Sequence, residues 1–383
     1  MSPCQSTRKF NLFNTLLFSI LLLTTLVALP WYAFHVGISR PEWILFGFYV
    51  LATGFSITLG YHRLFAHRSF QTNSVIVFLN LFFGAAALEE SALQWSSLHR
   101  DHHHFVDTER DPYSIKRGFW HAHIGWMLFW RNVPDYKNVK DLAAHPMIMH
   151  QHRYYPAWVT VSGIALPLMI GAVTGHLLGA FLLSVVARIT LVHHTTWSIN
   201  SICHTFGKST YDIDATAKDH WLVAILTNGE GYHNFHHRFA SDYRNGVRWY
   251  QWDPTKWAIA VLSWFGLTKK LYRTSPCHIY AAKAAAERTR VERALNRAQG
   301  AQTSTLIDMV QKQYGKLKNS LADWETYDRR WQAARQNLSE KSNTSANILR
   351  SQLKERHQIF DQTRQEWLRL IKKHPLIPRV AYL

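Results

Sequence analysis

Four apolar stretches occupy much of the first two hundred residues and limit the folds that the chain can adopt. They cover about residues 12–33, 43–59, 157–173 and 177–197. A transmembrane α-helix needs about 20 consecutive, mostly apolar residues to cross the hydrocarbon core of a bilayer. Short connections join the first stretch to the second and the third to the fourth. The sequence therefore predicts an all-α integral membrane protein with four transmembrane helices arranged as two hairpins.

A secretory signal peptide is the alternative interpretation of the first stretch. Its apolar run is long, however, and no small-residue cleavage site follows it. We therefore interpret the first stretch as a membrane span.

The positions of lysine and arginine predict the orientation in the membrane. The connection at residues 34–42 contains only Arg40, whereas the segments after the second and fourth stretches are rich in both residue types. Basic loops remain on the cytoplasmic side. We expect both termini, residues about 62–153 and all residues after about 198 to form a cytoplasmic helical cap. The expected location is a bacterial inner membrane.

Two shorter apolar stretches carry a different prediction. Residues 75–88 are apolar but short, and they run directly into Glu89 and Glu90. We expect this stretch, and residues 257–267, to lie in or dip into the membrane interface. A fifth span is the alternative for residues 75–88.

Histidines are concentrated in three motifs on the predicted cytoplasmic side. The motifs are HRLFAH at residues 62–67, HRDHHH at 99–104 and HNFHH at 233–237. Two of them contain His-x-x-His-His, a spacing that places three rings on one face of a helix. Imidazole ligands suit Fe, Zn, Cu or Ni, whereas Mg and Ca prefer oxygen. Because the motifs offer more ligands than one ion needs, the sequence predicts a site for two metal ions.

The first motif adds a local prediction. His62 and His67 are five residues apart, which separates them by about 140° around an α-helix. Both can bind one ion only if the α-helix ends between them. We therefore expect the second span to unwind near residues 63–66.

Carboxylates near the motifs are candidates for orienting the rings, because a metal-bound imidazole usually donates its other N–H to such a group. Asp101, Asp107, Asp111 and Glu230 lie close to the motifs in sequence. An ordinary solvated charge is the alternative for each of them. We favour Glu230, which lies in the sequence GEGYHNFHH.

The three motifs resemble the histidine boxes of the membrane fatty acyl desaturases, in particular the acyl-CoA Δ9 (stearoyl-CoA) branch. The resemblance extends to Asp111-Pro112, to HAHIGW at residues 121–126 and to GEG at residues 229–231. It covers about residues 10–268. It implies a non-haem di-iron centre held by nine histidines.

The resemblance also assigns individual ligands. The histidines that correspond to the ligands of one iron are His62, His67, His99, His103 and His236. Those that correspond to the ligands of the other iron are His102, His204, His233 and His237. In the sequence NSICH, Asn200 corresponds to a residue that reaches the second iron through water. Histidines outside this pattern are interpreted as structural, namely His104, His121, His123, His193, His194 and His220.

Several residues are predicted to contact the substrate. Gly54, Ile57 and Thr58 lie one to two helical turns before His62 and are candidates for the closed end of an acyl tunnel. Packing against lipid or a neighbouring helix is the alternative for them. Trp95, four residues before His99, matches an aromatic residue near the substrate entrance of the acyl-CoA enzymes.

Charged residues carry two further predictions. Lys116 and Arg117 match a basic pair that helps to hold the anionic CoA, and lipid headgroup contact is their alternative. Arg188 lies inside the fourth stretch and is expected to face a polar cavity or to extend its charge to the interface.

The resemblance implies O2-dependent insertion of a cis double bond, at Δ9, into a saturated acyl chain carried by CoA. The electrons are expected from a separate ferredoxin, or from a haem cytochrome with its reductase, because the sequence has no His-Pro-Gly-Gly haem signature and no cysteine-rich cluster motif. A fatty acyl or alkane hydroxylase is the enzymatic alternative. A membrane metal transporter is the non-enzymatic alternative, but it predicts histidines within the spans.

Residues 276–383 form a predicted second domain that the resemblance to residues 1–275 does not reach. Apolar residues recur there at helical steps, with a break at residues 339–345, and predict a helical hairpin or a short coiled coil. Such helices can dock on the cytoplasmic cap, pair two protomers or bind the electron donor. Although the net charge of the whole chain is +18, we expect no nucleic-acid partner, because acidic and basic residues alternate in this region.

Overall fold

The computed structural model describes residues 7–131, 134–298, 301–336 and 343–373. These residues form two compact units. The first contains the chain up to Gly207 together with Ala215–Arg273, and the second contains Lys208–Asp214 and the residues from Thr274 onward. Each unit is mostly helical, so the all-α prediction is confirmed. The strands in the described residues are short and pair as two antiparallel ribbons, Thr7–Arg8 with Trp130–Arg131 and Gln71–Thr72 with Thr268–Lys269.

Four helices of the first unit are long and apolar enough to cross a membrane. They are Leu12–His35, Arg40–Ala66, Tyr155–Val173 and Leu177–Ser201, called the first to fourth spans below. The second span continues past its predicted end at residue 59, because its polar last turns are buried within the protein. The prediction of four membrane-spanning helices is confirmed.

Each span contains a segment of wider π-helix. These segments are Thr24–Ala28, Ser56–Ala66, Thr160–Ala165 and Ala180–Ala187. A π-helical hydrogen bond joins residues i and i+5, so it displaces the following side chains relative to an α-helix. In the second span, this displacement occurs where the first histidine motif begins.

The first unit contains further helices besides the spans. They are Ser74–Ala86, Ala92–Phe105, Ile115–Arg117, His121–Gly125, Trp126–Leu128, Lys137–Val139, Lys140–Ala143, Pro146–Arg153, Trp221–Leu226, His233–Arg238 and Pro254–Trp264. Side-chain caps define several of their starts. Asn73 accepts a hydrogen bond from the backbone of Ile76 at 3.0 Å, and Asp253 accepts one from the backbone of Lys256 at 2.9 Å.

The helix Ser74–Ala86 packs closely against the second span and remains too short to cross a bilayer. A Cβ atom at Gly60 would lie 2.6 Å from Asn80, and one at Gly84 would lie 2.3 Å from the Tyr61 ring. Glycine is therefore required for this close approach. The opposite side of the helix exposes Val75, so its placement in the membrane interface remains a prediction. The predicted interfacial stretch at residues 257–267 likewise lies mostly in a helix with exposed apolar residues.

Arg188 occupies a different environment from the predicted one. Its side chain is fully buried, and its guanidinium donates to the carbonyl oxygens of Ser184 and Gly163 at 2.9 Å and to that of Ala86. Arg188 therefore neither extends to the interface nor faces an open polar cavity. Instead, it connects the third and fourth spans with the end of the helix Ser74–Ala86.

Within the described residues, the second unit contains three helices, Pro276–Ala298, Ala301–Gln336 and Asn343–Lys373. Their shared core is apolar and includes Val310, Phe360 and Trp367. All three helices contribute to this core, and the helical hairpin or short coiled coil stays a prediction. Leu338 and the first part of the predicted break lie outside the described residues.

Candidate dimetal site

Nine histidines of the first unit form two groups whose ring nitrogens face each other. The first group contains His62, His67, His99, His103 and His236. The second contains His102, His204, His233 and His237. Within each group, one nitrogen from every ring lies within 4.8 Å of the others. The structure thus brings together the histidines that the sequence assigned to each ion, divided in the same way.

The π-helical end of the second span brings His62 and His67 together. The backbone N–H of His67 donates to the carbonyl oxygen of His62 at 3.0 Å, a bond from residue i+5 to residue i. Residues five apart are therefore about one turn apart, and their ring centroids are separated by 4.7 Å. The prediction that the helix unwinds between these residues is wrong, because the helix widens instead.

The distances in the first group fit a bound cation. The Nε2 atoms are 2.9 Å apart between His62 and His236, 2.8 Å between His67 and His99, and 3.0 Å between His103 and His236. Ligand nitrogens about 2.1 Å from one ion and at right angles to each other lie about 3.0 Å apart. Neutral imidazoles that turn their lone pairs toward one point are stabilised by a cation at that point.

The second group has the same arrangement. The Nε2 atoms are 3.3 Å apart between His102 and His237, 3.1 Å between His204 and His233, and 3.0 Å between His233 and His237. His204 follows the fourth span and joins two rings of the helix His233–Arg238. This group therefore also fits a metal ion.

Burial keeps the rings neutral and available to a metal. It lowers the pKa of His67, His99, His103 and His236 well below the usual value, and neighbouring histidines lower it further. The same causes act on His204, His233 and His237 of the second group. Metal ligation requires the neutral ring, so little free energy is needed to deprotonate these ligands at neutral pH.

Oxygen atoms outside the two groups fix three of the rings. Glu230 Oε2 lies 2.8 Å from Nδ1 of His62, and Asp111 Oδ1 lies 2.9 Å from Nδ1 of His102. Thr216 Oγ1 lies 2.7 Å from Nδ1 of His204 and donates to Asp107 Oδ1 at 2.6 Å. Such contacts at Nδ1 direct the opposite nitrogen, Nε2, toward a metal.

Asp101, the other predicted carboxylate, has a different partner. Its Oδ1 accepts a hydrogen bond from Asn138 Nδ2 at 2.9 Å. Asp101 therefore fixes the chain near residue 138 and is turned away from the orienting role that the sequence suggested.

A buried ion-pair network supports Glu230, and sequence analysis missed it. Arg63 Nη2 lies 2.9 Å from Glu230 Oε1 and 2.9 Å from Asp253 Oδ1, and Nη1 donates to the carbonyl oxygen of Tyr243 at 2.7 Å. Burial raises the pKa of Glu230, but the Arg63 guanidinium and His62 outweigh this effect and leave the pKa below its usual value. The position of Arg63 directly after His62 was the available signal.

Comparison with known proteins agrees with this geometry. Residues 41–263, more than half of the chain, match the family model named fatty acid desaturase. The protein belongs to the fatty acid desaturase family.

Individual relatives of this protein carry more specific names. It is 40% identical over 226 residues to a probable acyl-CoA desaturase of Schizosaccharomyces pombe, covering 58% of this chain and 47% of the relative. It is 40% identical over 232 residues to acyl-CoA desaturase 1 of Saccharomyces cerevisiae, covering 60% and 45%. It is also 36% identical over 223 residues to an sn-1 stearoyl-lipid 9-desaturase of Anabaena variabilis, covering 57% and 79%. The matched region thus spans about half the length of the first two relatives.

A cavity of about 570 Å³ connects the spans with both histidine groups. Its wall includes His62 and His99 of the first group, His233 of the second, and Asn200. Side chains from all four spans complete the wall. The volume lies within the range of small-molecule sites, which are mostly apolar with a few polar groups.

Four of the predicted substrate residues line this cavity. Gly54, Ile57 and Thr58 contribute from the second span, and Trp95 contributes from the helix Ala92–Phe105. The Trp95 ring stacks on the His99 ring with their centroids 4.7 Å apart and their planes at 20°. Trp95 therefore forms part of the cavity wall directly beside the first histidine group.

Lys116 and Arg117 lie outside the lining of this cavity. The ammonium of Lys116 donates to the carbonyl oxygen of Asp107 at 2.5 Å, and Arg117 donates to the carbonyl oxygen of Glu109. Both side chains therefore contact the loop that carries Asp107 and Asp111. Lys116 is exposed, so it remains accessible to an anionic group.

The remaining histidines are separate from the two groups. His104 is exposed. His123 contacts His194 with ring nitrogens 3.1 Å apart, and His193 Nε2 lies 3.0 Å from the carbonyl oxygen of Ala87. His220 caps the helix Trp221–Leu226.

Proposed function

We propose that the protein is an O2-dependent, non-haem di-iron desaturase that introduces a cis double bond into a saturated fatty acyl chain. The observation that carries the proposal is the cavity, whose apolar wall extends through the spans and ends at both histidine groups. An acyl chain in this cavity lies beside the metal ligands. A metal transporter instead needs ligands along a path across the membrane, whereas these nine lie at or beyond the ends of the spans.

The proposed reaction explains why iron suits the site. Two hydrogen atoms leave adjacent methylene groups, and O2, two electrons and two protons are consumed to give the double bond and two water molecules. No acidic or basic side chain can remove a proton from an unactivated methylene, so a bound redox metal supplies the oxidising chemistry. Imidazole ligands suit iron, although zinc also binds such sites.

The protein supplies position and a dry environment. Glu230 and Asp111 contact Nδ1 of His62 and His102, which leaves each Nε2 free to hold a bound iron ion. Asn200 lines the cavity, and we propose that it would reach the second ion through water. Trp95 closes the wall beside His99 and limits the access of bulk water to the reacting carbons.

We propose that the double bond forms at Δ9 and that the end of the cavity near Gly54, Ile57 and Thr58 receives the methyl end of the chain. Thr58 Oγ1 lies 2.8 Å from Thr255 Oγ1, and both hydroxyls are buried, so the wall is closed there by a direct contact. A fixed distance between this end and the metal site selects one pair of carbons.

We propose acyl-CoA as the substrate, with Lys116 and Arg117 binding its phosphates outside the cavity. Two relatives named acyl-CoA desaturases support this choice.

We further propose that the cap faces the cytoplasm of a bacterial cell, and that a separate ferredoxin, or a haem cytochrome with its reductase, supplies the electrons there. The second unit is proposed to bind that donor or to pair two protomers.

Fatty acid analysis tests the proposal. The chain is expressed in cells that lack Δ9 unsaturation, beside a His99→Ala/His103→Ala double variant and a His104→Ala control. Gas chromatography with mass spectrometry of total fatty acids is expected to find a new cis-Δ9 monoene with the wild-type and control proteins and none with the double variant. A hydroxylated chain would refute desaturation. No new lipid, despite bound iron and a working donor, would also count against it.

A further inference from the structure

Two acidic residues of unexplained purpose line the cavity. Glu89 and Glu90 form the turn between the helices Ser74–Ala86 and Ala92–Phe105, and both belong to the cavity wall. Leu88 and Glu90 have φ angles of 60° and 71°, a left-handed conformation that non-glycine residues rarely adopt. The backbone therefore takes an unfavourable conformation at the point where two carboxyl groups enter an apolar cavity.

The Glu89 carboxyl group is buried without a strong partner. Glu89 is only 9% exposed. Within the described residues, neither of its carboxyl oxygens has a hydrogen-bond partner of normal geometry. An isolated carboxylate in such a place costs much free energy, so the group stays protonated. Burial raises the pKa of Glu89 to about 8, while Thr196 and Trp95 lower it and Glu90 raises it.

The groups that face Glu89 come from several elements. They are Glu90 on the same turn, Tyr61 on the second span, Tyr155 on the third span, and Thr196 and Trp95. From the fourth span, His193 Nε2 lies 3.1 Å from the carbonyl oxygen of Leu88. Glu90 is acidic, the tyrosines, Thr196 and Trp95 are uncharged at neutral pH, and His193 contacts a backbone carbonyl oxygen. These neighbours therefore do not stabilise an ionised Glu89.

Glu90 occupies a position closer to water. It is partly exposed, whereas Glu89 is buried. Burial raises its pKa to about 7, and Gln94 lowers it. Tyr113, Tyr136 and Tyr155 are its titratable neighbours. The two acidic groups of the cavity wall thus differ in exposure, with Glu90 partly exposed and Glu89 buried.

The proposed reaction needs protons in this cavity. Each double bond consumes two protons, and the histidine ligands would be poor sources because their Nε2 atoms would bind the ions. The Nδ1 atoms of His62 and His102 face carboxylates. Glu89 lies beside Trp95, and the ring of Trp95 stacks on His99. Glu89 is therefore an acidic group on the same wall as the ligands of the first histidine group.

We propose that Glu89 stores a proton beside the metal site and donates it during the reduction of O2, and that Glu90 then replaces it. The O–H bond of the Glu89 carboxyl group breaks, and an O–H bond forms on an oxygen atom of O2 that is reduced by electrons from the external donor. The Glu89 carboxylate takes a proton from Glu90, which takes one from water. Two such transfers supply the two protons for each double bond. The inference rests on the proposed desaturase function.

Infrared spectroscopy tests the stored proton without any turnover. Purified full-length protein at pH 7 is compared with Glu89→Gln and with Asp135→Asn, in which an acidic residue with a 61% exposed side chain is replaced. A protonated carboxyl group has a carbonyl stretch that a carboxylate lacks. We expect this band, with its shift in D2O, in the wild-type and Asp135→Asn proteins and its loss in Glu89→Gln. An unchanged spectrum in Glu89→Gln would overturn the proposal.

Enzyme kinetics test whether Glu89 donates a proton during the reaction. With stearoyl-CoA and a chemical or protein reductant, Glu89→Gln is expected to lower kcat about 100-fold while iron content and substrate affinity remain within about twofold. We expect wild-type activity to fall above about pH 8, where Glu89 loses its proton, and we expect Glu89→Gln to lack this fall. Glu89→Gln should also release more O2 as hydrogen peroxide per electron consumed. Glu89→Asp, which keeps an acid, should recover part of the rate. Glu90→Gln should slow repeated turnover more than the first turnover.

Two results would overturn the donor role. One is a Glu89→Gln enzyme with the wild-type rate. The other is a slower Glu89→Gln enzyme with the wild-type pH profile and peroxide yield, which would indicate a structural role only. If the wild-type protein desaturates no chain, the proposed function fails and the donor role fails with it, but the infrared result still decides whether Glu89 stores a proton.

Discussion

The two units of the chain differ in the kind of side chain that they bury. The first unit buries charged and polar groups, among them Arg63, Arg188, Glu230 and Asp253. The core of the second unit consists of apolar residues such as Val310 and Trp367. Charged residues of the second unit form ion pairs at its surface, where each pair contributes little to stability.

This difference indicates where function is located. Apolar burial is sufficient to stabilise a helical bundle, as in the second unit. Buried charges cost desolvation free energy and persist only when partners compensate them. In the first unit, these partners hold imidazole rings in position around two points in space. The polar interior of the first unit is therefore best explained by the metal site, and four experiments can challenge that explanation.

The largest effect is expected for a single ligand. His103→Ala removes one ring of the first group, whereas His104→Ala removes the next ring along the chain, which is exposed. We expect His103→Ala to lose bound iron and to lower activity at least about 1,000-fold, and His104→Ala to retain both. Metal analysis and product formation measure the two effects. Equal losses in both variants would contradict the assignment of the first group.

A second experiment compares arginine in the two units. Arg63→Met leaves the buried carboxylates of Glu230 and Asp253 without their cation, which costs about 3–5 kcal/mol. Arg329→Met removes an exposed pair with Glu325, four residues away, for which the expected cost is about 0.3–0.5 kcal/mol.

Thermal unfolding in detergent measures both. We expect the midpoint to fall by about 10 °C for Arg63→Met and by about 1 °C for Arg329→Met. Similar shifts would show that the buried network of the first unit contributes no more than a surface ion pair.

A third experiment uses a histidine–carboxylate pair from each unit. Asp111 contacts His102 at 2.9 Å with both side chains buried, whereas Asp361 contacts His357 at 3.1 Å with both side chains nearly half exposed. Asp111→Ala should weaken metal binding about 10- to 100-fold, because His102 loses the group that orients it. Asp361→Ala should leave metal affinity unchanged. Competition with a chelator measures the affinity, and unchanged binding in Asp111→Ala would refute the orienting role.

The sequence was sufficient to predict the spans and the division of the histidines. Lipid requires long apolar helices, which a single sequence displays directly. The resemblance to desaturases then assigned each histidine, including His204, whose surroundings contain no histidine motif. The spans depend on composition alone, whereas the division of the histidines was implied by the resemblance, because its members are far apart in the chain.

The missed features depend on contacts between residues far apart in the chain. Arg63 meets Glu230 and Asp253, which follow it by more than 150 residues. The widened helix at His62 and His67 was missed because α-helical geometry was assumed. The burial of Glu89 likewise depends on spans that surround it, and its own sequence position indicated only the end of an apolar stretch. Periodicity and spacing carry no information about such partners.

The fourth experiment concerns the length of the cavity. Gly54→Leu adds a side chain at the proposed closed end, where a Cβ atom would first meet the flexible Asn228 amide at 3.0 Å. Gly47→Leu adds the same side chain on the same helix where a Cβ atom meets nothing within 4 Å. Because each methylene in an apolar pocket changes selectivity by about 1–3 kcal/mol, Gly54→Leu should shift the preference to shorter chains by about 10- to 200-fold. Competition between palmitoyl-CoA and stearoyl-CoA measures this preference. If Gly47→Leu produces the same shift, then Gly54 does not mark the closed end, and the distance from this end to the metal site cannot be what selects the reacting carbons.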